Sequence, residues 1–445
     1  MKGISIKKSI IISLIFFIGT KFAFSLELSD VNNRLTDIFG NLTDDNNAGT
    51  TVFRSLNIPK GGRAESLGTA VTALCDDITF FDYNPAGSSV LKNTEFAVFH
   101  NSWIADSAME TLEGTTRFNN LGMGFQFKCF YVPFTEYNLF GDNVAKNYYS
   151  ETSLAVNLSY NFFAGYDFKG LSLGANVKTT WRKMPDYTDN KNDRIKSGSG
   201  LSQSALALMA DFGLLMQFNL LKHFDDTEPN FHFAFTINNA GLSVTGFSKE
   251  FQLDDSLPTR VTAGFSYRLM KNFVFTGEFR QPVNLLKITS SEKFSLASGL
   301  ELNITDFFDL ETGLLISGGN PRFSLGSQFT VKGIKMSVNY TLDLTSSFNP
   351  VNHISLGARL ILGDRGRSLI KDEVQSKYVQ GIQLYSKGGK NDIIEAIQKW
   401  TEAKELSSSM GIRFDPAIKA IKSAQSLLDL HDMINSYGTL DSKNQ

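Results

Sequence analysis

The chain of 445 residues contains two cysteines, Cys75 and Cys129, too few for the disulfide framework on which small exported domains rely. They are either one bridge or, as expected here, two unpaired small side chains. A charge excess is also missing: 43 basic residues face 45 acidic ones, so no basic field recruits nucleic acid. Histidine is scarce, and His100, His223, His232, His353 and His431 are scattered. None stands in a nucleophile-elbow, zincin or paired-cysteine pattern. The expectation is a protein that is not an enzyme, with no catalytic residue, no metal and no cofactor. Finally, no second long apolar run follows the N-terminus, so no membrane helix of about 20 apolar residues is expected. Disorder is excluded in turn, because 42% of the residues are hydrophobic.

What the chain has in excess is phenylalanine, 38 residues, beside 36 glycines, although its mean hydropathy is near zero. The N-terminus carries Lys2, Lys7 and Lys8 before a short apolar stretch, Ile10 to Ile18, and then Ala23-Phe24-Ser25. That order is the signature of an export signal cleaved after Ser25, so residues 1–25 are expected to be a signal peptide. No cysteine lies near the cleavage point to take a lipid anchor.

From about residue 94 to 363 the hydrophobicity has a period of two. Leu154, Val156, Leu158, Tyr160 and Phe162 alternate with Ser153, Ala155, Asn157, Ser159 and Asn161; Ile334, Met336, Val338, Tyr340, Leu342 and Leu344 alternate with Lys335, Ser337, Asn339, Thr341 and Asp343. Successive strand side chains point to opposite faces, so each segment has one apolar and one polar or small face. Strands of a soluble sandwich average about 5–6 residues, whereas a membrane barrel needs about 9–11. The lengths here fit the barrel. About thirteen strands are evident, and even numbering raises the count to 14, with the missing one sought in 134–149 or 242–252. Tyr160, Phe162, Trp181, Tyr267 and Tyr340 suit the interfacial aromatic girdles. The polar stretch 183–202, with Ser197-Gly198-Ser199-Gly200, and the stretch 134–150 are long loops, expected outside the cell. Short turns at 270–272, 305–307 and 332–333 belong to the opposite rim. The glycine-rich stretch lacks the strand-then-helix setting of a phosphate cradle. Glu301, Asp309, Glu311, Asp343, Arg260, Arg268, Arg280 and Arg359 fall on polar strand faces, where they are expected to meet each other or a plug.

Before the strands, Gly61-Gly62-Arg63-Ala64-Glu65-Ser66-Leu67-Gly68 leads through Leu74 to Cys75-Asp76-Asp77 and then Asn84-Pro85-Ala86-Gly87. A helix with Leu67, Ala70, Val71 and Leu74 on one face, a polar break and a tight turn are expected. This succession, spanning about residues 61–87, resembles the opening of the FadL-type outer-membrane transporters, and equally the related PorV proteins and the FadL-like families of spirochaetes. The resemblance implies a hatch, residues 26–93, plugging a 14-stranded antiparallel barrel, residues 94–363. It carries over to Asn84, Pro85 and Ala86 alone, as the hatch motif; Gly62, Arg63, Gly68, Asp76, Asp77 and Gly87 are expected in the hatch's helix and turn from the local pattern. It further implies passive uptake of long-chain fatty acids or other hydrophobic molecules by hatch movement and lateral diffusion. A PorV-like role in assembly or secretion, docking proteins instead of moving solutes, is the alternative.

After Gly363 a helical period takes over, and residues 364–445 are expected to form a small α-helical tail. Tyr378, Ile382 and Tyr385 share a face, Asn391 or Asp392 caps a second helix, and Asp415-Pro416 opens a third as N-cap and first helical residue. The spacing of Gly381, Leu384-Tyr385, Ala396, Trp400, Ala403 and Asp415-Pro416 resembles one and a half tetratricopeptide units. Fewer than about three such units bury their faces poorly, so the tail is expected on the barrel rim or on a periplasmic protein. The expected partners are thus hydrophobic small molecules, outer-membrane lipid and a periplasmic protein, and no nucleic acid.

Overall fold

The computed structural model describes residues 47, 50–104, 106–138, 140–165, 169–185, 204–226, 228–245, 256–317, 320–343 and 351–441. The expected signal peptide, the Ser197–Gly200 stretch and Leu344 lie outside them.

Fourteen strands form a closed antiparallel barrel, each hydrogen-bonded to its sequence neighbours. They are β1 Glu95–Ser102, β2 Ala108–Phe118, β3 Leu121–Tyr137, β4 Asn143–Phe162, β5 Leu171–Lys183, β6 Ala205–Phe218 and β7 Phe231–Thr245. The second half comprises β8 Arg260–Met270, β9 Phe273–Pro282, β10 Ser295–Thr305, β11 Phe308–Ser317, β12 Asn320–Val331, β13 Ile334–Asp343 and β14 Val351–Ile361. The ring closes where β1 pairs with β14, Phe99 opposite Gly357. The β1–β14 pairing leaves neither terminal strand with an edge of unpaired amides facing lipid.

The alternation sorts side chains as the period demands. On β4, residues 151, 153, 155, 157, 159 and 161 are buried, while Leu154, Val156, Leu158, Tyr160 and Phe162 are exposed. Phe96, Phe125, Phe127, Phe212, Phe235, Phe279 and Phe323 also face outward. Such a continuous apolar exterior is what a barrel presents to lipid and what water penalises. The described phenylalanines therefore serve chiefly the exterior; Phe53, Phe80, Phe81 and Phe99 are the buried ones within the barrel.

The extra strand does not lie where it was sought. Residues 134–137 and 143–149 prolong β3 and β4 into a tall hairpin, and residues 242–245 prolong β7. Poor alternation there reflects strands rising above the apolar belt, where both faces are wet. The C-terminal ends of β5, β7 and β9 and the N-terminal ends of β6, β8 and β10 share one rim (the loop rim), with the β3–β4 turn. The tight turns at 119–120, 271–272, 306–307 and 332–333 share the other, where the chain also enters β1 and leaves β14.

The expected helix over 61–74 is a single turn, α1, Arg63–Ser66. Gly68 and Thr69 both take positive φ, 61° and 66°, and the Thr69 amide closes back on the Ala64 carbonyl at 2.8 Å. This is a left-handed helix stop. Leu67, Ala70, Val71 and Leu74 are all buried, but they reach separate clusters instead of one helix face.

The tail forms three helices: α2 Arg367–Tyr385, α3 Lys390–Ser409 and α4 Asp415–Asp441. Trp400 is their centre. Its Nε1 donates to the Tyr378 carbonyl at 3.0 Å, and Gly381 leaves room for the indole. Ile393, Ala396, Ala403, Phe414, Ala417 and Ala424 complete the core. Ile382 turns outward, 46% exposed. The α3 N-cap is Gly389, without a side-chain bond, so Asn391 and Asp392 lie in the first turn and do not cap it. Asp415 is already the first helical residue.

Candidate functional site: a filled lumen and a break in the wall

Residues 50–93 are threaded through the barrel, bonded to lumen-facing side chains around the ring. The tightest knot centres on Arg63. Its Nε donates to Glu301 on β10 at 2.7 Å, and its Nη1 to Asp76 and Asp77 at 2.5 and 2.7 Å. Asp77 in turn lies 2.6 Å from Arg359 of β14, and its carboxylate caps the next turn through the Thr79 amide at 2.9 Å. A second knot joins Lys60 to Glu113 of β2, and Asp82 to Lys128 of β3 at 2.9 Å. A planar guanidinium serving several carboxylates suits Arg at the first centre. Charges this deep persist only when paired.

Asn84, Pro85 and Ala86 occupy the opposite flank of the lumen. The Asn84 carboxamide oxygen accepts from the Ala86 amide at 3.0 Å, forming a local turn. Its Nδ2 donates to the carbonyls of Thr72 and of Leu214 in β6, at 3.0 and 3.2 Å. Asn157 of β4 donates to the Pro85 carbonyl at 2.9 Å. Backbone comes this close to the wall because the wall is bare there. A Cβ on Gly174 or Gly213 would strike Pro85 or Asn84; one on Gly122 would strike Ser88 and Ser89, and one on Gly313 would strike Gly68. Gly62, at φ 66°, donates its amide to Ser355 on β14 at 3.2 Å, and Gly87 packs on Phe80 and Cys75.

Among the described residues, the β7–β8 ladder stops short of the loop rim. β7 is bonded to β8 only from Phe231 to Asn238, while residues 240–245 bond β6 alone among the described residues. The change falls at Asn239, which has φ 58° beside a register shift at Ala210/Phe212 on β6. Asp211 fixes the kink: it accepts from the Asn239 amide at 2.7 Å and pairs with Lys178 at 3.0 Å. Above this point the wall is replaced by residues 256–259, all buried. Thr259 Oγ1 donates to the Asn239 carbonyl at 2.8 Å, and Ser256 accepts from the Val52 amide at 2.9 Å.

Behind the break the lumen is apolar. Leu257, Phe53 and Leu56 pack on Ala205, Ala207 and Met209 of β6, a lumen face that elsewhere carries Asn, Ser, Thr, Glu and Lys. On the loop rim, next to Phe53, opens a cavity of about 500 Å³ lined by residues including Trp103, Phe130, Tyr149, Arg182 and Arg322. The loop after β9 adds exposed Leu285, Leu286 and Ile288.

Of the strand charges expected to face inward, Glu301, Arg280, Arg260 and Arg359 bond the threaded segment. Asp343 instead pairs with Arg322 at 2.5 Å, Asp309 lies 3.6 Å from Lys335, and Arg268 meets Asp226 at 3.2 Å near the rim. Cys75 and Cys129 are both free. Cys75 is buried, whereas Cys129 is only half-buried, on β3. Sequence reasoning missed Lys60, Phe53, Leu257 and the wall glycines. The glycines had left a trace in the small residues of the polar faces, but nothing local distinguishes a glycine that admits backbone from one that ends a turn. Among the described residues no group of His, Cys, Asp and Glu is arranged to hold a metal.

Comparison with known proteins places the chain among relatives in Treponema pallidum (strain Nichols). One is 28% identical over 414 residues, covering 90% of this chain and 89% of the relative. A second is 24% identical over 408 residues, 86% of this chain and 78% of the relative; both are described as UPF0164 proteins. Among solved structures, the toluene transporter TbuX of Ralstonia pickettii superposes with a TM-score of 0.41 at 12% identity, over 67% of this chain and 96% of that one. The toluene transporter TodX of Pseudomonas putida gives 0.41 at 10% identity, over 66% and 95%. A family model described as "Uncharacterised protein family (UPF0164)" matches residues 35–365, and the chain belongs to that family.

Proposed function

We propose that this protein is an outer-membrane channel for passive uptake of hydrophobic molecules, long-chain fatty acids among them, with the loop rim outside the cell and the helical tail in the periplasm. The observation that carries the reading is the break between β7 and β8, backed on its lumen side by an apolar patch. A solute collected in the loop-rim cavity meets Phe53 and Leu257, and displacement of residues 256–259 leaves a path sideways into the membrane. Burial of apolar surface drives capture without covalent chemistry. The ionic knots hold the remainder of residues 50–93 as a hatch, with Asn84-Pro85-Ala86 seated on the glycine-bare wall.

The test locks the path. Val52 and Ser256 become Cys in a Cys75→Ser, Cys129→Ala background, and a fluorescent dodecanoate is added outside proteoliposomes carrying the protein. The expected result is uptake by the reduced protein, its loss on oxidation and its return with dithiothreitol. Equal uptake in both states overturns lateral passage. A docking role in assembly or secretion is the second reading, favoured by exposed Leu369, Val379, Ile382 and Ile394 on the tail. Stoichiometric co-purification of a secretion complex, with no solute uptake, supports it.

A further inference from the structure

The tail is stitched to the tight-turn rim at several points. Arg367 Nη2 donates to the carbonyls of Leu91 and Lys92, each at 2.8 Å. Asn120 donates to the Gly411 carbonyl at 2.8 Å, and the Arg413 amide to that of Ala164 at 3.0 Å. Arg365 stacks on Phe118, its guanidinium carbon 4.0 Å from the ring centroid. Between these contacts the two surfaces do not close. They enclose a cleft of about 440 Å³, within the range of roughly 300–1,000 Å³ that holds a small ligand.

The lining has two chemistries. Val374, Met410, Ile412 and Phe414 of the tail face Val90 and Ala164 of the rim. An apolar gap of this size inside an interface forfeits dispersion contacts unless something fills it. The charged part of the remaining lining has an excess of cations, Lys92, Arg117, Lys169 and Lys371 against Glu228 and Asp372, among uncharged Asn161, Gln217, Gln375 and Ser407. Glu228 is shared, lying 3.5 Å from Lys92 and 3.7 Å from Lys371. Arg117 donates only to carbonyl oxygens, those of Asn119 at 2.5 Å and Leu91 at 3.3 Å. Arg367 bonds the same Leu91 carbonyl, and its buried Nη1 has no partner. Two guanidiniums thus share one carbonyl, Arg117 in the cleft's lining and Arg367 beside it, and neither bonds a carboxylate directly, so Arg117 is left able to take an anion.

We propose that this cleft is a binding site for an anionic single-chain amphiphile, its acyl chain against Val374, Met410 and Phe414 and its headgroup at Arg117 and Lys371. The site lies where the threaded segment emerges into β1, so it receives what leaves the lumen on that side or what arrives from the periplasm. It does not depend on the break between β7 and β8, and the proposal goes beyond the lateral-uptake reading.

The test uses the full chain in nanodiscs of zwitterionic phospholipid, with a hexadecanoate bearing a terminal diazirine as probe. Photolysis is expected to label the peptides carrying Val374 or Met410–Phe414. Arg117→Gln with Lys371→Gln is expected to weaken binding by at least about tenfold, the ordinary effect of removing charge partners from an anion. Phe414→Ala is expected to weaken the acid and its methyl ester alike, while circular dichroism shows whether the tail stays folded. Label confined to barrel peptides, or equal binding of the methyl ester, overturns the proposal. Displacement by inorganic phosphate alone, with no dependence on chain length, overturns the acyl part. Failure here with intact dodecanoate uptake leaves the channel reading standing; binding here without uptake does the reverse.

Discussion

Replacing Arg63 by Met removes one guanidinium from among Glu301, Asp76 and Asp77, which lie at 2.5–2.7 Å, and Glu311 at 4.0 Å. Among the described residues, Arg359 then remains as the one cation on Asp77, with Glu95 3.9 Å from Arg359 as well, and no cation is left in an ion pair with Glu301. Breaking a buried ion pair from one side costs about 3–5 kcal/mol, because the partner stays buried and unpaired. At about 1.4 kcal/mol per factor of ten, the local opening of residues 61–77 becomes roughly 10²- to 10³-fold more frequent or more. The assay is amide hydrogen exchange of the detergent-solubilised protein, peptide by peptide. Faster exchange is expected over 61–77, with no change in β4 to β6, where neighbouring strands carry the hydrogen bonds. A double substitution, Arg63→Met with Glu301→Met, is expected to recover part of the loss, because it removes both charges. Unchanged exchange in the single variant, or strictly additive losses in the pair, refutes the view that this knot anchors the threaded segment.

Three further outcomes follow from the same geometry. Gly174→Val drives a side chain into the Pro85 carbonyl; overpacking costs about 1–3 kcal/mol, read as a lower melting temperature and protease cleavage near residue 85. Trp400→Ala removes the tail's central side chain at about 3–5 kcal/mol, so helical dichroism falls while the barrel keeps its heat-modifiable migration on gels. Acid is expected to loosen the tail: burial raises the Glu228 carboxyl's pKa, but Lys92, Lys371 and Lys169 outweigh it and hold it below the ordinary range. A depressed carboxylate stabilises above its unfolded pKa of about 4.3 and loses that contribution as pH falls through the folded value. Exchange protection over Arg367–Lys371 should therefore persist at pH 7 and decline below about pH 4.3; a flat profile across that window refutes the Glu228 contribution.

How far the site was legible depends on the range of the interaction. The single-turn α1 shows the limit: Leu67, Ala70, Val71 and Leu74 fit a helical period, yet Gly68 and Thr69 turn left-handed because the segment must pass the Leu314 backbone. Asn84 was visible as a turn former. Its bonds to Thr72 and Leu214 were not, since Leu214 is 130 residues away in sequence. Nothing in the local sequence marks Leu257; only its place in one buried cluster with Phe53 and Ala207 makes it part of the wall's closure.

By itself, the amino-acid order determined that this is a membrane barrel with a helical tail. Period-two alternation acts through each strand's own two faces, and the 3.6-residue period and caps act within a few turns. These are local rules, and they explain why so many phenylalanines coexist with a mean hydropathy near zero. The tertiary structure alone decided where Arg63 finds its carboxylates, which glycines admit backbone, where β7 parts from β8, and how the tail leaves a cleft at the rim. Each of these joins residues tens to hundreds of positions apart. Their partners are chosen by closure of the ring and by the cost of leaving a buried charge without a charge or hydrogen-bond partner, and no local pattern encodes either.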